Sequence, residues 1–217
     1  METELEYRAA AKGEAKNDTL KFIAIITMLI DHIGYVFFPN LIFLRIIGRI
    51  SFPIFAYNMT IGYINTGNLK KYMMRLLGFG VIAQIPYIYF APGKINVMFT
   101  LLFGLYAIYF IDKKKYFFVP APLLIALLVP VEYGIYGVSV IILFYVFRDN
   151  KLFMRLSFVA ATAIYVFYYR SSVQAFCVLS LIFILKKWKL NISISKYFFY
   201  IFYPLHIIII LLIKNYL

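Results

Sequence analysis

Asp31, His32, Arg45 and Arg49 all lie within apolar runs long enough to cross a lipid bilayer, and this most restricts how the chain can fold. Residues 20–63 read LKFIAIITMLIDHIGYVFFPNLIFLRIIGRISFPIFAYNMTIGY, two membrane-length segments hinged at Pro39-Asn40. On insertion scales an Asp or Arg near the middle of a spanning helix costs roughly 2.5–3.5 kcal/mol, so three in one hairpin need compensation. An internal Asp–Arg pair locking two helices together is one resolution. A polar active site inside the membrane is the other.

The rest of the chain has the same character. Of 217 residues, 64% are hydrophobic and 20% aromatic, and the mean hydropathy is +0.86. A soluble domain is nearer half apolar. The expected fold class is therefore all-α, a polytopic transmembrane helix bundle with about nine spans (eight to ten). The candidate spans are 20–38, 41–64, 72–90, 97–111, 116–131, 133–147, 152–169, 171–185 and 197–213. Several are near 15 residues, short of the roughly 20 that cross a bilayer comfortably.

Residues 1–19 are charged, without an apolar core, and read as a cytoplasmic tail rather than a signal peptide. Asn17-Asp18-Thr19 is a candidate helix N-cap. Residues 20–217 form a single transmembrane domain, with no internal repeat or linker. The one cysteine, Cys177, reads as a small apolar packing residue.

The formal net charge of +13 suggests nucleic-acid binding until its distribution is considered. With the N-terminus inside, alternate loops hold Arg8/Lys12/Lys16/Lys21, Lys70/Lys71/Arg75, Lys113/Lys114/Lys115, Arg148/Lys151/Arg155 and Lys186/Lys187/Lys189/Lys196, 17 of the 22 basic residues. The other side receives Lys94, Arg170 and Lys214. This is the positive-inside pattern, giving a cytoplasmic N-terminus, an external C-terminus and no nucleic-acid partner. The lipid bilayer is the expected environment, as a multi-pass protein of a bacterial plasma or inner membrane. Oligomeric state is not readable from sequence.

Asp31 and His32 lie near the bilayer middle, pointing about 100° apart, so the expected division is Asp31 with an arginine and His32 toward a cavity. Lys21, Met28 and His32 share a helical stripe toward the cytoplasmic mouth. Pro53 leaves the Arg49 carbonyl without its helical donor and predicts a kink. The last span, KYFFYIFYPLHIIIILLIK, places the second histidine, His206, at mid-membrane depth beside Pro204, which predicts a helix break. Glu132, in an outer corner, reads as a solvated loop carboxylate.

Metal-ligand spacings, phosphate-binding glycine loops and a GxSxG serine elbow are absent, so no metal is expected. A neutral imidazole, a buried carboxylate, two guanidinium groups and several tyrosines suit proton transfer from an amine or hydroxyl, or stabilisation of an oxyanion. A proton-coupled transporter uses the same groups, and the residues alone do not separate the two.

The runs LKFIAIITMLIDHIG, LRIIGRISFPIFAY, TGNLKKYMMRLL, AQIPY, INVMFTLLFG, YGIYGV and FYIFYPLH, collinear over about residues 19–210, resemble the TraX family of integral membrane acetyltransferases. The paired DH, GR-x-x-FP and YP-x-H elements are specific together. The resemblance implies an acyl-CoA-dependent transfer of acetyl from cytosolic acetyl-CoA to an amine acceptor, a pilin-like or other peptide N-terminus or a small amine. O-acetylation of a surface glycan is the alternative acceptor chemistry. It also implies importance at Asp31, His32, Arg45, Arg49, Pro53, Asn96, Tyr203 and His206. On that reading His32 or His206 is the general base or transient acetyl carrier, and Asp31 and Arg49 hold the geometry. Arg45, Asn96, Tyr203, Lys21, Lys70, Lys71 and Arg75 bind the substrates.

Overall fold

The computed structural model describes residues 18–186, 194–195 and 197–216; the tail assigned to 1–19 falls almost entirely outside them. Among the described residues the architecture is all-helical. The α-helices are α1 (Thr19–Phe37), α2 (Ile42–Gly48), α3 (Ser51–Asn65), α4 (Leu69–Phe90), α5 (Val97–Asp112), α6 (Pro120–Leu128), α7 (Gly134–Val146), α8 (Lys151–Tyr169), α9 (Ser180–Leu185) and α10 (Phe198–Tyr216). Two 3₁₀ segments, Tyr116–Phe118 and Ser172–Leu179, precede α6 and α9. Among the described residues, five stretches are long and apolar enough to span a membrane: α1, α2–α3 together, α4, α8 and α10.

Local chemistry sets the element boundaries. Asn68, Asn96 and Asn150 cap α4, α5 and α8, each side chain accepting from a backbone N–H of the first turn. Asp18 stands before α1 but does not cap it: its carboxylate takes Lys21 Nζ at 2.6 Å and the N–H of Ile194 at 2.7 Å, tying α1 to the approach of α10. The chain turns at Arg49 and Ile50, and Pro53 falls in the first turn of α3, where no donor is required. Pro204 does not break α10, which runs through it, as membrane helices do when neighbours satisfy the freed carbonyl.

The segment expected as a short span over 171–185 is not a plain α-helix. Its residues Ser172–Leu179 are 3₁₀ and Ser180–Leu185 are α. At about 2.0 and 1.5 Å rise per residue it reaches roughly 25 Å, against about 21 Å for an all-α segment of equal length. Stretching gives the segment more reach for its length.

Helix α3 is the central post. Ten of its residues, from Ser51 to Ile61, are buried, and it touches α1, α5, α7 and the 3₁₀–α9 segment. Helix α8 is peripheral. In lipid, helices are held by close packing rather than by expulsion of water, so small residues mark the tight crossings. Gly104 lies under Ile141 of α7, and Gly48 lies against Asp31 of α1; an added Cβ would overlap the neighbour at either position.

At the end of the bundle opposite the basic loops, the α4–α5 and α6–α7 connections join through an isolated parallel bridge between Ile95 and Val131. Ile95 N–H donates to Pro130 O at 3.0 Å, and Glu132 N–H donates to Ile95 O at 2.9 Å. Asn96 reinforces the join by donating to Gly80 O and Gln84 Oε1, each at 2.8 Å.

Candidate functional site

Asp31 points from α1 into the α2–α3 turn and meets both arginines. Arg45 Nη1 donates to Asp31 Oδ2 at 2.8 Å and to its backbone carbonyl at 3.0 Å. Arg49 Nη2 reaches Oδ1 at 3.0 Å and Oδ2 at 3.2 Å, and its Nη1 donates to Gln174 Oε1 at 3.4 Å. One carboxylate thus serves two guanidinium groups, where the sequence suggested one. The 11% exposure of the Asp31 side chain makes it an enclosed network rather than a surface pair. Arg45 also lies 5.0 Å over the ring of Tyr35.

His32, one residue on, faces elsewhere. Its Nδ1 is 2.7 Å from Nε2 of His206, 174 residues away in sequence, and both side chains are buried. The ring centroids are 4.9 Å apart and the planes are inclined by only 13°. That separation equals the N···N distance plus about two ring radii, so the imidazoles meet edge to edge, with the hydrogen bond along their common plane. The other nitrogen of His206, Nδ1, is 2.8 Å from the carbonyl of Phe202.

His32, and not His206, lines a cavity of about 20 Å³ together with Met28, Asp31, Phe52, Phe55, Glu132 and Tyr203. That volume holds one water-sized group. Tyr203 is fully buried; the Val97 backbone N–H reaches its hydroxyl oxygen, and its own proton has no acceptor. A buried donor left without an acceptor costs about 1–3 kcal/mol, and the Tyr203 O–H is available to a group in the cavity.

Glu132 corrects the sequence reading. It is a wall of this cavity, not a solvated loop carboxylate. The Ile95 bridge turns it inward, Thr100 Oγ1 donates to its backbone carbonyl, and the hydroxyl of Tyr87 donates to its carboxylate. Removal from water pushes its carboxyl up to about 7, with Arg49 and the Tyr87 hydrogen bond opposing that rise. Beside it Tyr133 adopts a left-handed backbone, φ 62°, and stacks on Phe52 with centroids 4.0 Å apart. A non-glycine residue held there is strained, and such strain clusters at functional sites. The Tyr133-Gly134 corner is the one sequence signal that pointed toward Glu132; Tyr87 stood in the AQIPY run without an assigned role, and Gln174 carried no signal.

A second cavity, about 260 Å³, opens at the basic end of the bundle between α3, α4 and α10. Lys21, Asn58, Tyr72, Arg75, Phe199 and Tyr200 line it. Arg75 Nε and Asn58 Nδ2 have no hydrogen-bond partner there. Phe55 borders both this cleft and the His32 cavity, its ring 4.6 Å from that of Phe199. The stripe read from the sequence therefore passes from the cleft at Lys21 to the inner cavity at Met28 and His32. Lys70 and Lys71 do not line the cleft. They line an open groove of about 730 Å³ on the outer side of α4, which also includes Arg75. Asn96 stays away from the cavity and holds the loops that position Glu132.

The family model described as TraX protein matches residues 16–214. An uncharacterised protein of Rickettsia prowazekii (strain Madrid E), RP591, is 28% identical over 150 residues, covering 64% of this chain and 58% of the relative. A probable fimbrial assembly protein FimC, serogroup H1, of Dichelobacter nodosus is 35% identical over 106 residues, covering 41% of this chain and 43% of the relative. The chain spans about half the length of these curated relatives. No solved structure matches it.

Proposed function

The chain belongs to the TraX family, and from that membership and the site just described we propose an integral membrane acetyltransferase that moves acetyl from acetyl-CoA to an amine acceptor. The observation that carries the reading is a buried imidazole facing a water-sized cavity it shares with a carboxyl group and a hydroxyl whose proton has no acceptor. One aromatic side chain separates that cavity from a cationic cleft.

Acetyl-CoA supplies the acetyl group as a thioester. Arg75 and Lys21 line the cleft that would take its anionic and pantetheine portions, and Lys70 and Lys71, in the groove that also includes Arg75, hold the phosphates at the mouth. The unpartnered Arg75 Nε and Asn58 Nδ2 fit a polar ligand there. His32 removes the proton from the acceptor amine as its nitrogen bonds to the thioester carbon. The hydroxyl of Tyr203 donates to the carbonyl oxygen as charge develops. The carbon–sulfur bond then breaks, and His32 returns the proton to the departing sulfur. Asp31 with Arg45 and Arg49 fixes α1 against α2 and holds His32 in place. The fimbrial assembly relative supports a pilin-like peptide amine over a glycan hydroxyl as acceptor.

Thiol release by purified protein given acetyl-CoA and a panel of amines and glycans tests the reading. Amine-dependent release that is lost in His32→Ala supports it. No release with any acceptor, or proton-coupled solute flux in liposomes without acetyl-CoA, overturns it.

A further inference from the structure

The two imidazoles are not interchangeable. His206 Nδ1 lies 2.8 Å from the Phe202 carbonyl, which only accepts, so His206 carries its proton on Nδ1. In a neutral imidazole the other nitrogen is then bare, and His206 Nε2 is an acceptor. Its neighbour at 2.7 Å, His32 Nδ1, must be the donor. The nitrogen left bare on the pair is Nε2 of His32, the imidazole that lines the cavity.

We propose that His206 is a positioning residue that locks His32 in the Nδ1–H tautomer, so that a single nitrogen, His32 Nε2, serves as base, and acetyl passes directly to the acceptor without resting on His206. The proposal rests on the acetyl-transfer reading for its kinetic part alone. When His32 Nε2 takes the acceptor's proton, the imidazolium keeps its Nδ1–H on His206 Nε2, and His206 keeps its own Nδ1–H on Phe202. No proton moves along the chain. The orienting partner is neutral, so it aims the base without the strong pull of a carboxylate.

The chain contains two histidines, so all four imidazole nitrogens are resolvable by ¹⁵N spectroscopy of histidine-labelled, full-length protein in lipid nanodiscs. The expected result at neutral pH is protonated Nδ1 and bare Nε2 on both rings, opposite to the tautomer that the side chain of free histidine prefers. An Nε2–H on either ring overturns the assignment. Two variants separate positioning from chemistry. In His206→Gln the amide oxygen accepts from His32 and the amide N–H donates to Phe202, so the His32 tautomer persists and kcat stays within about 10-fold of wild type. In His206→Leu the His32 tautomer is released, and kcat falls about 100-fold or more with KM little changed. A Gln variant that keeps the tautomer but is as inactive as the Leu variant means that His206 itself carries the acetyl group or proton, and the proposal fails. If the tautomers are as stated but wild-type protein transfers no acetyl, the locked pair stands and the acetyltransferase reading falls.

Discussion

A Cβ atom on Gly48 would occupy the space of the Asp31 carboxylate. Glycine at this position lets α2 approach α1 closely enough for Arg45 and Arg49 to close on one acid from the same side. Gly48→Ala is expected to displace Asp31 at about 1–3 kcal/mol. Thermal unfolding in detergent should show a lower midpoint, with reduced thiol release at permissive temperature. An unchanged midpoint and rate would mean that the α1–α2 contact is looser than described.

Asp31→Asn leaves two enclosed guanidinium groups without a counter-charge. Breaking a buried pair from one side costs about 3–5 kcal/mol, so folded yield should fall along with activity. Asp31→Asn combined with Arg45→Gln should recover part of that yield, because one stranded charge is gone. Equal losses in the single and double variants, measured by size-exclusion recovery, would argue that charge is not the cause.

Glu132 gives stability a dependence on pH. Its carboxyl titrates near 7 in the folded protein and near 4.5 as a model group, so between these values the unfolded chain binds fewer protons. Stability is therefore full below about 4.5 and declines as pH rises through 7. In Glu132→Gln this slope should vanish; midpoints measured across that range decide, and a parallel slope in the variant would place the titrating group elsewhere.

Phe55 separates the cleft from the His32 cavity. Phe55→Ala should join the two, admit water and raise acetyl-CoA hydrolysis without acceptor relative to transfer. The truncation also costs about 3–5 kcal/mol of packing, so Phe55→Leu, which keeps most of the volume, should show a smaller change in the same direction. Hydrolysis equal to wild type in both would place the passage elsewhere.

Arg75→Gln is expected to raise KM for acetyl-CoA by about 10- to 100-fold with kcat nearly unchanged, the effect of losing one charge-assisted hydrogen bond. Lys71→Gln, on the outer groove, should change KM less. The reverse ranking would make the outer groove, rather than the cleft, the main anchor for acetyl-CoA.

Much of this was legible in the chain. Charges amid apolar residues at 31, 45 and 49 announced a network, because lipid allows an ionised side chain little else to pair with. Asn96 ahead of an apolar run marked a helix start. What was hidden depended on backbone paths that periodicity does not encode. Glu132 looked solvated because its inward turn comes from a main-chain bridge to Ile95, residues apart in sequence. Lys70 and Lys71 share the outer groove with Arg75, yet only Arg75 also reaches the cleft, because adjacent positions on a helix face different ways. Pro204 looked like a break because the sequence does not show the neighbours that accommodate it.

His32 sits in the first described helix and His206 in the last. A copy still emerging from the ribosome therefore lacks the imidazole pair, however well its earlier segments are seated in lipid. The pair closes in one step, when the last described helix is threaded in beside the first.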